Sequence, residues 1–344
     1  MAERRSPAAF PLDDRRVYDA YIAGRLSAAL AAAVRLGLFD LLDGGPRAVS
    51  AIAEELGLAR RGAEGLLAAL GAWGLVERDG ERWTLAPDAA AYLVRGREGS
   101  LAGLVDMEVE RFLSPPALIE ALRTGKPSVY GDADPWEVHA ADPDTARAFA
   151  DAMDAISARP AAGFAEVAPL EGARALLDVG GGSGALAIAA ARAWPELRCT
   201  VFDLPAVCGL ARERAQAAGL GERVTAVAGD MRGEPWPEGH DAVLLSQILH
   251  DWSPEVGAEL LRAAREALPP GGRVLIHEKL VDEDGRGPLA NVLVHLDMLV
   301  WTEGQQYRAS ELAAMLDRAG FTAVETRPTA GYWSLVSAVK PQAR

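Results

Sequence analysis

The stretch Ala175-Leu-Leu-Asp-Val-Gly-Gly-Gly-Ser-Gly-Ala-Leu-Ala-Ile188 decides how the rest of the chain is read. Ala175 to Leu177 is aliphatic and reads as a buried strand, which Asp178 closes. Gly180, Gly181, Gly182 and Gly184 then make a tight turn, and a helix begins at Ala185. Strand, glycine turn and helix is how an α/β sheet brings backbone N–H groups up against a ligand. The spacing Gly180-x-Gly182-x-Gly184 is not that of dinucleotide enzymes, and no Gly-Lys-Ser/Thr follows to hold phosphates. The turn points to an adenosine-like ligand with little or no phosphate; the alternative is a turn that serves helix–strand packing alone.

Downstream, the strand–helix alternation continues. Cys199-Thr-Val-Phe-Asp203 is a strand ending in an acid, where a nucleotide fold puts a carboxylate on ribose hydroxyls. Val224-Thr-Ala-Val-Ala-Gly-Asp230-Met231 is a third strand, and Asp241 to Ser246 and Gly272 to Glu278 are a fourth and fifth. Phe321 to Glu325 and Tyr332 to Ala338 would close the sheet. Acids at the ends of three consecutive strands argue for a ligand with a diol and an amine edge. Asp203 can accept from two ribose hydroxyls and Asp230 from an adenine amine, while Met231 packs on the base.

Upstream of residue 165 the pattern is helical. Between Arg15 and Leu42, Tyr21, Leu26, Leu30, Val34, Leu38 and Leu41 recur at helical steps, with Ala over much of the other face. Such a helix packs against a second subunit or another domain. Ala48 to Gly57, Leu58 to Leu70 and the hairpin around Asp79-Gly80 read as a winged helix, with Ser50 as the first N-cap. Its second helix, Ala63 to Trp73, is apolar with one acid, so it should be buried instead of presented to DNA. Arg159-Pro-Ala-Ala-Gly163 reads as a linker, and the domains divide as 1–164 and 165–344.

The 344 residues carry a formal charge of −14, half are hydrophobic and 24% are charged. That is ordinary for a globular protein with a real core, and it argues against a nucleic-acid partner, which needs clustered Lys and Arg. Cys199 and Cys208 have no metal or redox spacing and read as buried apolar residues in a reducing compartment. Neither a secretory signal nor an apolar membrane span is expected, so the reading is cytoplasmic and membrane-free.

Asp178-Val-Gly-Gly-Gly-Ser-Gly184, Phe202-Asp203-Leu-Pro205, Ala228-Gly-Asp-Met231 and Leu249-His-Asp-Trp252 stand in one order and spacing. In this the chain resembles the S-adenosylmethionine-dependent small-molecule O-methyltransferases, the plant caffeate/flavonoid and bacterial polyketide-tailoring enzymes, from about residue 17 to 340. The resemblance implies an α/β fold: a Rossmann-like class I methyltransferase sheet with a reversed last strand. It also implies an N-terminal helical, winged-helix dimerisation domain that contributes to the substrate pocket, and a homodimer. The cofactor would be S-adenosyl-L-methionine, held by Asp178, Gly180, Gly182, Asp203, Leu204, Gly229, Asp230, Met231 and Ser246.

The chemistry would sit after the fourth strand. His250 has an intrinsic pKa of about 6.5, suited to taking a phenolic or enolic proton as general base. Glu278 stands where the family carries an acid that orients this histidine. Asp251 either caps the next helix or reaches the cofactor. The chain departs from the family in Val294 to Arg308: where many relatives have a second acid beside the histidine, Gln306 stands here, with Glu303 slightly too early. Met153, Asp251, His295, Met298 and Gln306 are the candidate pocket residues, with Phe112, Trp301 and Tyr332 as further candidates; His139, His240 and His277 read as structural. The expected reaction is O-methylation of a small, aromatic secondary-metabolite hydroxyl. A rival reading makes His250, Asp251 and His295 metal ligands of an α-keto acid C-methyltransferase. Others are drift to decarboxylation or hydroxylation, and a DNA-binding regulator built on the winged helix.

Overall fold

Gly37 ends the first helix. The computed structural model describes residues 13–108, 114–130, 133, 136, 138 and 143–342. Phe112, His139 and the leader reading of the first residues lie outside them. α1 (Arg15–Leu36) is shorter than the sequence pattern implied, because Gly37 adopts φ 74° and donates back to the Val34 carbonyl. Leu38–Asp43 is a separate helix, α2. β1 (Arg47–Ala48) leads straight into α3 (Val49–Glu55), so Ala48 and not Ser50 is the N-cap. α4 (Arg60–Trp73) buries Ala63, Leu67 and Leu70, as its apolar sequence requires. β2 (Val76–Asp79) and β3 (Arg82–Leu85) form the wing, with Gly80 at φ 59° in the turn. β1 adds to β3 as a third strand that the sequence pattern did not reveal. α5 (Pro87–Tyr92) and α6 (Ala102–Glu108) complete this unit, whose core joins Val34, Phe39, Leu67 and Leu70.

The described contacts gather into two units, Met1–Val109 and Glu110–Arg344. The second begins with α7 (Pro115–Thr124) and α8 (Pro143–Val167). The expected linker at 159–163 is helical: Pro160 lies inside α8, and Ala161 and Phe164 on either side of Gly163 are buried in the sheet's core. Gly163 itself allows close approach, since a Cβ there would come within 2.6 Å of the Ala330 Cβ. The compositional change near residue 165 is thus a change of secondary structure inside the second unit.

The sheet then builds in sequence: β4 (Ala175–Val179), α9 (Ala185–Ala193), β5 (Arg198–Asp203), α10 (Pro205–Ala217), β6 (Val224–Ala228) and β7 (Ala242–Ser246). It continues with α11 (Pro254–Ala267), β8 (Arg273–Glu278), α12 (Leu289–Trp301), α13 (Ala309–Arg318), β9 (Thr322–Pro328) and β10 (Ser334–Val339). The strand order is β6-β5-β4-β7-β8-β10-β9, parallel except that β10 runs antiparallel to both neighbours. This is the reversed strand that the resemblance implied. Successive side chains of a strand face opposite sides. Leu176, Val201, Leu244 and Leu275 therefore pack in one apolar cluster, and Leu177, Val179, Val243, Leu245 and Ile276 in another. With both faces covered the strands must be apolar throughout. Two charged residues within these strands, Asp178 and Glu278, are nevertheless buried, and Glu278 sits at its strand's carboxyl end. No helix among the described residues is long and apolar enough to cross a membrane. Cys199 and Cys208 are both buried and free.

Candidate active site

Polar chemistry collects at the carboxyl edge of β4, β5, β7 and β8. At the glycine turn the Gly180 N–H donates to the Phe202 carbonyl at 2.8 Å, stitching the turn to β5. Gly180 and Gly182 have φ of 65° and 58°, a region that costs an L-residue free energy. A Cβ at Gly180 would also overlap the Ile248 Cδ1 and lie 3.7 Å from the Met231 Sδ, so Ile248 and Met231 border the turn. Asp203 receives the Gly182 N–H at 2.8 Å and the Leu204 N–H at 2.7 Å. A carboxylate offers about four acceptor positions, so about two remain for a diol. Asp178 is buried beside the Ala187 backbone N–H of α9, and burial, followed by the nearby Asp203 charge, pushes its pKa up to about 7. A carboxylate has further acceptor positions beyond one such bond, and with the open glycine turn these fit an adenosine-type cofactor bearing an amino group. A Cβ at Gly229 would strike the Phe202 ring, which accounts for that glycine.

Asp230, the residue expected at the adenine amine, is held within the chain. Arg232 grips it, with Nε 3.0 Å and Nη2 2.9 Å from the two carboxylate oxygens, and this hydrogen bonding holds its pKa down. Ser246 likewise lies against a protein group, its Oγ 3.2 Å from the His277 Nδ1.

His250 sits in a short 3₁₀ turn, Leu249–Asp251, directly after β7. Its Nδ1 is 2.7 Å from Glu278 Oε2 and its Nε2 is 3.4 Å from Asp251 Oδ1. Glu278 is fixed in turn, since its Oε1 accepts the Ile248 N–H at 3.2 Å. All three side chains are buried. Burial alone would lower the histidine pKa, but the charges of Glu278 and Asp251 outweigh it and raise it to about 9. Burial pushes Asp251 up to about 7. The helix cap that Asp251 was a candidate for is made by Ser253, whose Oγ accepts the Val256 N–H.

The metal-ligand set does not assemble. Among the described residues no three His, Cys, Asp or Glu side chains form a group able to hold a metal ion. His250 Nδ1 is taken up with Glu278, and His295 Nδ1 accepts the Gln306 backbone N–H at 3.2 Å. Of the pocket candidates, Met298 and Gln306 are buried and Met153 half-buried, whereas Tyr332 is 57% exposed on the surface. Trp301 joins Trp136, Phe149 and Trp252 in an aromatic cluster with centroids 5.6 to 6.2 Å apart. His277 is structural as expected: Ser246 and Thr329 engage its two nitrogens, Trp333 stacks on it, and burial lowers its pKa to about 3. His240 is held by the Pro237 carbonyl and the Thr200 hydroxyl.

Three features escaped the sequence reading. Gln247 has φ 56°, unusual for a residue with a side chain, and its amide donates to Ser157 Oγ on α8 at 3.1 Å. Ser183 in the glycine turn donates to Asp154, also on α8, and Arg214 pairs with Asp151 and Asp154. Gly304 abuts the catalytic turn so closely that a Cβ there would overlap the His250 carbonyl oxygen. The one signal in the sequence was the polar step Ser246-Gln247 inside the apolar run Leu244 to Leu249.

Comparison with known proteins agrees with this arrangement. Residues 117–322 match the O-methyltransferase domain family and residues 20–95 the O-methyltransferase dimerisation domain. The chain is 40% identical over 299 residues to 3-hydroxy-5-methyl-1-naphthoate 3-O-methyltransferase of Streptomyces sahachiroi, covering 86% of each. It is 34% identical to the tetracenomycin polyketide synthesis 8-O-methyltransferase of Streptomyces glaucescens, over 92% of this chain and 94% of that one. The structure of human N-acetylserotonin methyltransferase in complex with S-adenosylmethionine superposes with a TM-score of 0.85 at 27% identity, covering 99% of this chain and 100% of that one. The chain therefore belongs to the O-methyltransferase family and is an S-adenosylmethionine-dependent O-methyltransferase.

Proposed function

We propose that the acceptor is a hydroxyl on a planar aromatic secondary metabolite and that His250 removes its proton. The observation that carries this reading is His250 held by Glu278 at 2.7 Å, beside the glycine turn at the carboxyl edge of the sheet. The relatives that act on a hydroxynaphthoate and on a tetracenomycin intermediate support the aromatic acceptor. Bound S-adenosylmethionine supplies an electrophilic methyl carbon on a sulfonium. Asp203 would accept from the ribose hydroxyls and Asp178 from the amino group. Gly180, Gly182, Leu204 and Gly229 would shape the backbone around them, and Met231 would pack on the base. Asp230, held in place by Arg232, would accept from the adenine amine; Ser246 supports His277 at the same edge.

The proton balance favours a phenol. Its pKa of about 10 lies near the value of about 9 at which Glu278 and Asp251 hold His250, so transfer between them is close to even. Glu278 keeps Nδ1 oriented and stabilises the imidazolium that forms. Met153, His295 and Met298 would line the acceptor's side, with Asp251 near the histidine's other nitrogen. The helices up to residue 164 would serve dimerisation and the pocket, in a cytoplasmic homodimer; the dimerisation-family match supports the homodimer.

Isothermal titration of wild type and His250→Ala with S-adenosylhomocysteine, alongside turnover of a phenol panel, tests the reading. Both proteins should bind the product nucleoside equally, while the variant loses turnover by about 10²-fold or more. Undiminished turnover would remove His250 as the base.

A further inference from the structure

Gln306 is 3% exposed, yet neither its amide oxygen nor its nitrogen has a hydrogen-bond partner. A buried amide without partners is rare and unfavourable, and is retained where something else meets it. Its backbone is fixed, because the N–H donates to His295 Nδ1. Its segment also touches the catalytic turn, since Gly304 lies directly against the His250 carbonyl. On that turn Trp252 presents a second buried, unpartnered donor, its Nε1, and its ring stands 6.1 Å from Trp136 with the Arg232 guanidinium 4.9 Å away. The two touching segments thus carry neutral hydrogen-bonding groups beside the turn that holds His250, and Trp252 joins them to the aromatic cluster.

Neutral donors complement an oxygen acceptor, and an amide tolerates a carboxylate that a glutamate in the same place would repel. We propose that Gln306 is a specificity-determining residue that hydrogen-bonds a second oxygen function of the methyl acceptor, so that preferred acceptors are planar phenols with a carboxylate or carbonyl adjacent to the reacting hydroxyl. This rests on the aromatic-acceptor reading above. The aromatic rings hold the acceptor's plane, His250 meets its hydroxyl, and Gln306 meets the neighbouring oxygen.

The test is calorimetry on the full-length protein loaded with S-adenosylhomocysteine, titrated with 3-hydroxy-2-naphthoate and, separately, 2-naphthol. The two probes differ only by the carboxylate. The wild type should bind the hydroxynaphthoate at least tenfold more tightly. Gln306→Met should bring the two affinities within threefold, and Gln306→Glu should reverse their order. General damage to the pocket would weaken both probes together and leave their ratio unchanged. Equal wild-type affinities, or a ratio that survives in both variants, overturns the inference. Binding of neither probe by the loaded wild type would overturn the aromatic-acceptor reading, whereas equal binding of both overturns this inference alone, which separates the two.

Discussion

His250 is a strong base held in a closed place. On the reading proposed above its neutral form takes the acceptor's proton, and the carboxylates around it favour the charged form, so activity should rise with pH towards about 9. The sign is set by which protonation state each neighbour stabilises: Glu278 and Asp251 stabilise imidazolium, and removing either charge releases the proton at lower pH. Glu278→Gln should therefore move the rising limb of the kcat–pH profile to lower pH by about one pH unit or more. It should also lower the plateau, because Nδ1 loses its orienting charge. A profile that keeps its midpoint while kcat falls would mean that Glu278 acts through packing alone. Glu278 is well placed for positioning, with one oxygen on the Ile248 N–H and the other towards the imidazole.

Among the elements, the catalytic turn is braced from two sides. Glu278 reaches it from β8, and the segment after α12 presses Gly304 onto the His250 carbonyl. Gly304→Ala adds one methyl where there is no room and must displace the turn. A displacement of about 1 Å can cost 10²-fold in rate, so kcat should fall by about 10- to 100-fold. Asp178, Asp203 and the glycine turn are untouched, so calorimetry should return the wild-type affinity for S-adenosylhomocysteine. These braces explain what the sequence could and could not disclose. Strands such as Ala242–Leu245 and Val274–Ile276 were legible because both faces are buried and the runs are continuously apolar. Asp203, His250 and Glu278 were legible because each ends or follows such a run. The Gln247–Ser157 hydrogen bond and the Gly304 contact depend on atoms brought together from distant parts of the chain. No local pattern encodes them. Helix ends failed for a smaller reason: Gly37 and Ala48 are set by backbone geometry, which competes closely with the Leu38 and Ser50 signals.

For the molecule as a whole, the first helix is unfinished alone. Val17, Tyr18 and Tyr21 are 74%, 57% and 65% exposed on α1, within or beside the segment that matches the dimerisation family. Charging that face should split a dimer: Tyr18→Glu with Tyr21→Glu should shift the sedimentation coefficient from dimer to monomer, and an unchanged value would place the interface elsewhere. Domain-scale organisation was only partly legible, because Pro160 and Gly163 look like a linker but sit in a helix whose neighbours Ala161 and Phe164 are core. The strand order carries a further consequence. β10, the last strand in chain order, lies between β8 and β9 and pairs Ser334 with Glu278. During synthesis, β8 therefore keeps an unpaired edge until residues near 339 have emerged. The catalytic carboxylate stands at the end of that open edge, so a nascent chain carries every catalytic residue before it owns a finished active site. Until then the same edge is available to a neighbouring strand on the polysome, and the reversed strand doubles as the cap that ends that exposure.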